Sequence, residues 1–158
     1  MGCESSLKGV IVHWCTLAKN FEKLFREQTN KLKDVFVYRL YDTMFIQASN
    51  IADFIGYKKP NLYVVECKTC QTKSLPFKNI AEHQITDALE AEKVKGVKAY
   101  IIVWYYNHDI CKAFRTSYIY SLIQAGKKSV SSEDTNGIII PGVKRKKYYD
   151  WDWSVLFK

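Results

Sequence analysis

Three residues are spaced to do chemistry together: Asp53, then after twelve intervening residues Glu66, and two positions further Lys68. Asp53 interrupts the apolar run Ile51-Ala52-Asp53-Phe54-Ile55, where a charge is costly unless it is paired or bound to an ion. Tyr63 to Lys68 is rich in valine and aromatic residues and follows the turn residues Lys58-Lys59-Pro60-Asn61, so it reads as a strand after a hairpin-like turn. Alternation then places Glu66 and Lys68 on one face, about 6.6 Å apart along the strand, with Val65 and Cys67 on the other. Two carboxylates on adjacent strands repel, and a divalent cation between them turns that repulsion into binding. A lysine beside them can hold a water or hydroxide against phosphorus and offset the charge that develops. Oxygen ligands suit Mg²⁺ or Mn²⁺ rather than zinc. The chemistry this set can perform is metal-assisted hydrolysis of a phosphodiester.

Positioning these groups requires a sheet with helices against it. From Leu17 to Lys33, Leu17, Phe21, Leu24, Phe25 and Gln28 fall at helical spacing with Lys19, Lys23 and Arg26 beside them, which predicts an amphipathic helix. Asp34 to Tyr41 reads as the first strand. A second helix is expected from Asn79 to Lys95, closed by Gly96. Ile80, Gln84, Ala88 and Ala91 share one row of it, with Ile85, Leu89 and Val94 filling its buried side. Gln84 then faces inward near the end of the Glu66 strand, with His83 next to it. Val97 to Tyr106 is the most apolar run and should be a central strand, Ile110 to Arg115 pairs back with it, and Ser117 caps a helix over Tyr118 to Gln124 that ends at Gly126. The alternation predicts an α/β architecture, a mixed β-sheet flanked by helices. A length of 158 residues implies a single domain, with a core over about 17–130 and a basic, aromatic tail over 131–158.

A formal net charge of +8 with 47% hydrophobic residues describes a folded basic protein with a polyanionic partner, most often nucleic acid. Lysines supply charge and hydroxyls supply directed donors to phosphate. Lys127, Lys128 and Ser129, with Ser131 and Ser132, are candidates for that task, as are Lys73, Ser74 and His83. The run Lys144-Arg145-Lys146-Lys147 precedes Tyr148-Tyr149, pairing charge with rings that could stack on unpaired bases. Trp151 and Trp153 read as core residues that dock the C-terminal segment. Cys67-x-x-Cys70 does not read as a metal site, because residues three apart on a strand face opposite sides. An odd count of five cysteines with no secretion signal argues against a disulfide framework. Gly9 to Cys15 is too short to span a bilayer and lacks the flanks of a signal peptide. Met1-Gly2-Cys3 formally fits a lipidation signal and is read as incidental. A cytoplasmic protein without a membrane association is therefore expected.

Taken together, Asp53-Phe54-Ile55-Gly56, Glu66-Cys67-Lys68-Thr69, Ser74-Leu75-Pro76-Phe77, Asn79-Ile80, His83-Gln84 and Gly126-Lys127-Lys128-Ser129-Val130 resemble, in order and spacing, the RecU-type Holliday junction resolvases of the PD-(D/E)XK nuclease superfamily. The resemblance spans roughly 20–130. It implies a restriction-endonuclease-like fold with a stalk-like insertion, short here and centred on Thr43 to Gln47. It implies an endodeoxyribonuclease that resolves four-way junctions by paired symmetric cuts leaving 5′ phosphates. Asp53, Glu66 and the Cys67 carbonyl would hold Mg²⁺, Glu22 would assist from the first helix with Glu27 as the competing acid, Lys68 would orient water, and Gln84 would bond the water or a phosphate oxygen. Branched DNA, a two-fold homodimer and a recombinase are the implied partners. Two alternatives stand beside this: a nuclease of the same superfamily preferring flaps, single strands or duplex, and a non-catalytic DNA-binding recombination factor on the same fold.

Overall fold

Ten residues, Asn61–Cys70, form the strand around which the sheet is laid, and Tyr63 through Cys67 are buried without interruption along it. A strand buried on both faces belongs in the middle of a sheet covered from both sides. The computed structural model describes the backbone of residues 5–41 and 49–158 and the side chains of residues 16–41 and 49–158. In chain order its elements are helix α1 (Ser5–Thr29), β1 (Phe36–Arg39), β2 (Phe54–Lys58), β3 (Asn61–Cys70), β4 (Ser74–Pro76), α2 (Glu82–Glu92), β5 (Val97–Tyr105), β6 (Ile110–Arg115), α3 (Thr116–Gln124), β7 (Ser129–Ser131), β8 (Ile138–Ile139), β9 (Gly142–Lys144) and β10 (Tyr149–Trp151). The main sheet has six strands in the order β1-β2-β3-β5-β6-β8. β3 and β5 run parallel, joined by the crossover through α2, while β1–β2, β2–β3, β5–β6 and β6–β8 are antiparallel. This is the expected mixed α/β sheet flanked by helices.

Helix α1 covers one face. Phe21 and Phe25 are fully buried, and the Phe25 ring lies 5.0 Å from Phe54 and 4.8 Å from Trp153, centroid to centroid. The helix already runs from Ser5, so Gly9 to Cys15 belongs to it rather than standing as a separate apolar patch. Helix α2 covers the other face through Ile85 and Ala88. It starts later than its periodicity suggests, because a 3₁₀ turn at Phe77–Asn79 precedes it. It also ends at Glu92, which leaves Val94 beyond the helix and 61% exposed instead of buried. Gly96 follows at φ +91°, a conformation that glycine adopts at little cost. Ser117 does not cap α3: the helix begins at Thr116, Arg115 is the N-cap residue and no side chain bonds the cap.

Alternation separates the two cysteines of β3 as expected. Cys67 packs in the α1-side cluster with Phe21 and Val65, and Cys70 in the α2-side cluster with Leu75 and Ile85.

The C-terminal segment is more regular than its sequence suggests. β7 pairs with β4 through Leu75↔Val130, and β8 joins the main sheet beside β6. β9 and β10 form a hairpin closed by Lys144↔Tyr149. Trp151 and Trp153 are buried, as read, and Ile140, Leu156 and Phe157 are buried with them. Gln28 fastens this segment to α1: its Nε2 donates to the Tyr149 carbonyl at 2.7 Å, and its Oε1 accepts from Trp151 N at 3.2 Å and Trp153 Nε1 at 2.9 Å. Ser132 is only 2% exposed, so it cannot face DNA. Among the described residues no helix is long and apolar enough to cross a membrane. The stalk-like insertion expected at Thr43 to Gln47 falls on residues outside those described.

Candidate active site

Asp53 stands one residue before β2, and the pairing Phe54↔Val65 carries it opposite Glu66. Its backbone carbonyl accepts from Leu40 N at 2.8 Å, which ties it to the end of β1. Its Oδ2 accepts the Cys67 amide N–H at 2.8 Å. The carboxylate is therefore held against β3 from across the ladder, where strand register alone would bring it.

Glu66 is 5% exposed and one of its oxygens is heavily engaged. Oε1 accepts from Gln84 Nε2 at 2.7 Å and pairs with Lys68 Nζ at 2.6 Å. The Gln84 Oε1 in turn accepts from Lys68 Nζ at 3.2 Å and from the Ala81 amide at 3.1 Å. One carboxamide thus fixes the acid, the lysine and the start of α2 with respect to each other. The second Glu66 oxygen, Oε2, is buried without a hydrogen-bond partner. Burial, and next the charge of Asp53, push the Glu66 carboxyl up from 4.5 to about 7, against the opposing pull of Lys68 and Gln84.

Glu22 reaches the same place from α1. It is ion-paired with Arg39, and burial followed by the charge of Asp53 raises its carboxyl above the ordinary value, with Arg39, Lys68 and Lys19 acting in the opposite sense. Lys19, Glu22, Arg39, Asp53, His83 and Gln84 line a cleft of about 510 Å³. The structure therefore gathers Asp53, Glu66, Lys68, Gln84 and Glu22, with His83 at the rim. Glu27 points elsewhere, 3.9 Å from Lys23 on an exposed side of α1. Cys67 contributes its amide to Asp53, and burial together with the neighbouring Asp53, Glu66 and Glu22 pushes its thiol well above the ordinary range. That thiol is core, not a nucleophile.

Arg39 and Lys19 are site residues that the sequence reading did not single out. Arg39 comes to the site through the register of β1 on β2, where it pairs with Phe54 beside Asp53, a placement that no local sequence signal marks.

Apart from His83 at the cleft, the residues expected to contact DNA fall into two patches. Lys73 and Ser74 lead into β4, which pairs with β7 at Pro76↔Ser129. Lys127 and Lys128 are exposed beside them, where they border an apolar groove with Phe77 and Ile85. Lys73 is ion-paired with Glu133 at 2.9 Å. Lys144, Arg145, Lys146 and Lys147 lie on the β9–β10 hairpin, near Leu17, Asn20 and Leu24 of α1.

The carboxylates fit a hard divalent cation. A buried, unpartnered Glu66 oxygen opposite Asp53 is an orphaned acceptor in a negatively charged setting, which a cation would satisfy. Among the described residues no three His, Cys, Asp or Glu side chains converge into a metal cluster. Mg²⁺ does not need one, since it keeps several waters and takes one or two carboxylates plus substrate phosphates.

No curated protein matches the chain. Among solved structures, the chain is similar to Archaeoglobus fulgidus Hjc, a Holliday junction resolvase from an archaeal hyperthermophile, at 10% identity and a TM-score of 0.47 over 65% of this chain and 77% of that one. It is also similar to D212, a nuclease from a fusselovirus, at 15% identity and a TM-score of 0.38 over 99% of this chain and 92% of that one. The family model described as Recombination protein U matches residues 19–145, a span that includes Glu22, Asp53, Glu66, Lys68 and Gln84. The chain belongs to the Recombination protein U family of Holliday junction resolvases.

Proposed function

We propose that this protein is a divalent-metal-dependent endodeoxyribonuclease that resolves four-way DNA junctions by paired symmetric cleavage, acting in the cytoplasm as a two-fold homodimer alongside a recombinase. Residues 1–158 would form one nuclease domain. The observation that carries the reading is the Asp53, Glu66, Lys68 and Gln84 network with its orphaned Glu66 oxygen.

Asp53 and Glu66, with the Cys67 carbonyl, would hold Mg²⁺ or Mn²⁺, and Glu22 would assist through bound waters or a second ion. When bound, the metal supplies Lewis-acid stabilisation of the departing oxygen. Lys68 orients a water for in-line attack and offsets charge on the phosphoryl group. Gln84 is a positioning residue, since its amide is committed to Glu66, Lys68 and the Ala81 amide. In the balanced step a water oxygen bonds to phosphorus and the bond from phosphorus to the 3′ oxygen breaks. The proton given up by water reaches the leaving oxygen through solvent, which yields a 3′ hydroxyl and a 5′ phosphate. Arg39, Lys19 and His83 line the cleft where the phosphodiester backbone would lie. Two symmetric cuts per junction require two such sites, which is the reason for a two-fold dimer.

The test is cleavage of a labelled synthetic four-way junction beside matched linear duplex, with Mg²⁺ or Mn²⁺, by wild type and Asp53→Asn. Paired symmetric nicks on the junction, absent in the variant, are expected. Equal cutting of duplex would leave a nuclease of different preference, and junction binding without any cutting would leave a non-catalytic recombination factor.

A further inference from the structure

Residues of the β9–β10 hairpin line a further, open concavity, of about 360 Å³, on the side of α1 away from the nuclease cleft. This is at the small end of the range for ligand pockets, about 300–1,000 Å³. Its composition is unlike that of the cleft. Trp104, Tyr106 and Tyr148 supply flat surfaces, and Lys144 to Lys147 form its rim. Tyr148 sits at the hairpin tip and is 50% exposed. The Arg145 amide donates to the Tyr148 carbonyl at 2.8 Å, so the tip is a closed turn that holds ring and cations together. Beneath it the hairpin is anchored, with Tyr149 and Trp151 buried and stacked 4.6 Å apart. Trp104 packs edge-on against Tyr106 and Tyr149, at 6.1 and 5.7 Å. Among the described lining residues the one acid, Asp109, is engaged by Lys144 at 3.3 Å and by the Tyr149 side chain, and Asp150 on the same hairpin is ion-paired with Arg145 at 3.2 Å, so neither carboxylate stands uncompensated before an incoming anion. Lys146 and Lys147 are exposed on that hairpin.

We infer that this pocket is a binding site for an unpaired nucleotide, with its base stacked on Tyr148 and its phosphates held by Lys146 and Lys147. Every base offers a π-face, and stacking on an aromatic side chain adds sequence-tolerant affinity. Bases inside a duplex have both faces occupied by neighbours, so the rings can engage DNA only where strands part, as at a branch. The rim cations hold backbone of either kind. Position links the pocket to the cleft: Lys19 and Glu22 line the cleft while Asn20 and Leu24 line the pocket, so one helix, about 10–12 Å across with its side chains, separates them. A branch held here would present its neighbouring duplex to Asp53 and Glu66. The inference rests on the reading of the protein as a DNA nuclease, and it adds a feature that selects opened DNA.

The test uses Asp53→Asn protein in metal-free buffer, so that binding is read without cleavage. A thymidine-rich single strand carrying bromouracil, and a fully paired duplex of the same sequence, are titrated and then photo-crosslinked. The expected result is a crosslink from the single strand to Tyr148 or Tyr106 by peptide mass spectrometry. Tyr148→Ala should weaken single-strand binding about tenfold or more, Tyr148→Phe should keep it, and duplex affinity should be unchanged by either. Equal losses on duplex and single strand, or no loss in Tyr148→Ala, would overturn the assignment and leave the nuclease reading standing. Failure of Asp53→Asn to lose cleavage in the junction assay would strike that reading instead.

Discussion

The two sides of α1 treat charge in opposite ways. On the cleft side Glu66 and Lys68 are largely withdrawn from water and locked by one glutamine amide. On the hairpin side Lys146 and Lys147 stand in solvent at the tip of a turn. Chemistry needs reacting groups held closely, because a misplacement of about 1 Å can cost a hundredfold in rate. Capture of a flexible polyanion needs only charge density, and loose side chains supply it. The difference teaches where precision resides in a small basic protein: in the network built on β3, not in the lysines that set its net charge.

The sharpest way to break the comparison is to exchange the roles. Asp53→Asn should lower single-turnover junction cleavage by about a thousandfold while leaving the junction dissociation constant unchanged, as read by gel shift. If binding fell in step with cleavage, the cleft would be a capture surface too and the contrast would fail.

The next largest effect is electrostatic. With the Glu66 carboxyl raised from 4.5 to about 7 in the folded protein, its contribution to stability is full below about pH 4.5 and is lost as pH rises through about 7. That gap corresponds to roughly 3 kcal/mol. Without divalent ions, wild type should lose stability relative to Glu66→Gln across this window, measured by urea denaturation at stepped pH. Added Mg²⁺ should restore more of it at pH 8 than at pH 6, because the metal binds the deprotonated pair. No comparable pH dependence should separate wild type from a Lys146→Ala variant.

Gln28→Ala tests the joint between the two sides. It removes three hydrogen bonds to the hairpin and the segment after it and strands buried donors, at a cost of about 1–3 kcal/mol. Hydrogen exchange should accelerate over β9, β10 and α1, while cutting by the folded protein persists. The smallest effect belongs to the exposed charges. Lys146→Ala and Lys147→Ala should each reduce the slope of log affinity against log salt on single-stranded DNA by about 0.7. The cleavage rate of bound junction should not move.

Much of the cleft was legible because short-range rules suffice for it. Strand alternation places Glu66 with Lys68, hairpin register brings Asp53 across, and helical spacing turns Gln84 inward. Arg39 was not legible, since its partner Glu22 lies seventeen positions earlier on a helix, and nothing local marks a tertiary ion pair. Strands as short as Ile138–Ile139 or Ser129–Ser131 carry too few residues to show a period, so β7 and β8 were hidden in an apparently irregular tail. Gln28 sat on the apolar stripe of α1 for a reason that pattern cannot express. Its amide answers three distant groups, and only the folded chain shows them. Val94 failed differently: the helix stops at Glu92, and the phase that would have buried it is lost with the helix.

The opposed cysteines of β3 have a use of their own. Cys67 and Cys70 are free thiols, each sealed in a different hydrophobic cluster on either side of the same sheet. A reagent too large to enter the folded protein can modify Cys67 only when the α1 side of the sheet opens, and Cys70 only when the turn at 72–74 that its thiol bonds, or the cluster behind it, opens. The strand therefore carries two built-in gauges of local opening, and their relative labelling rates would rank which enclosure loosens first.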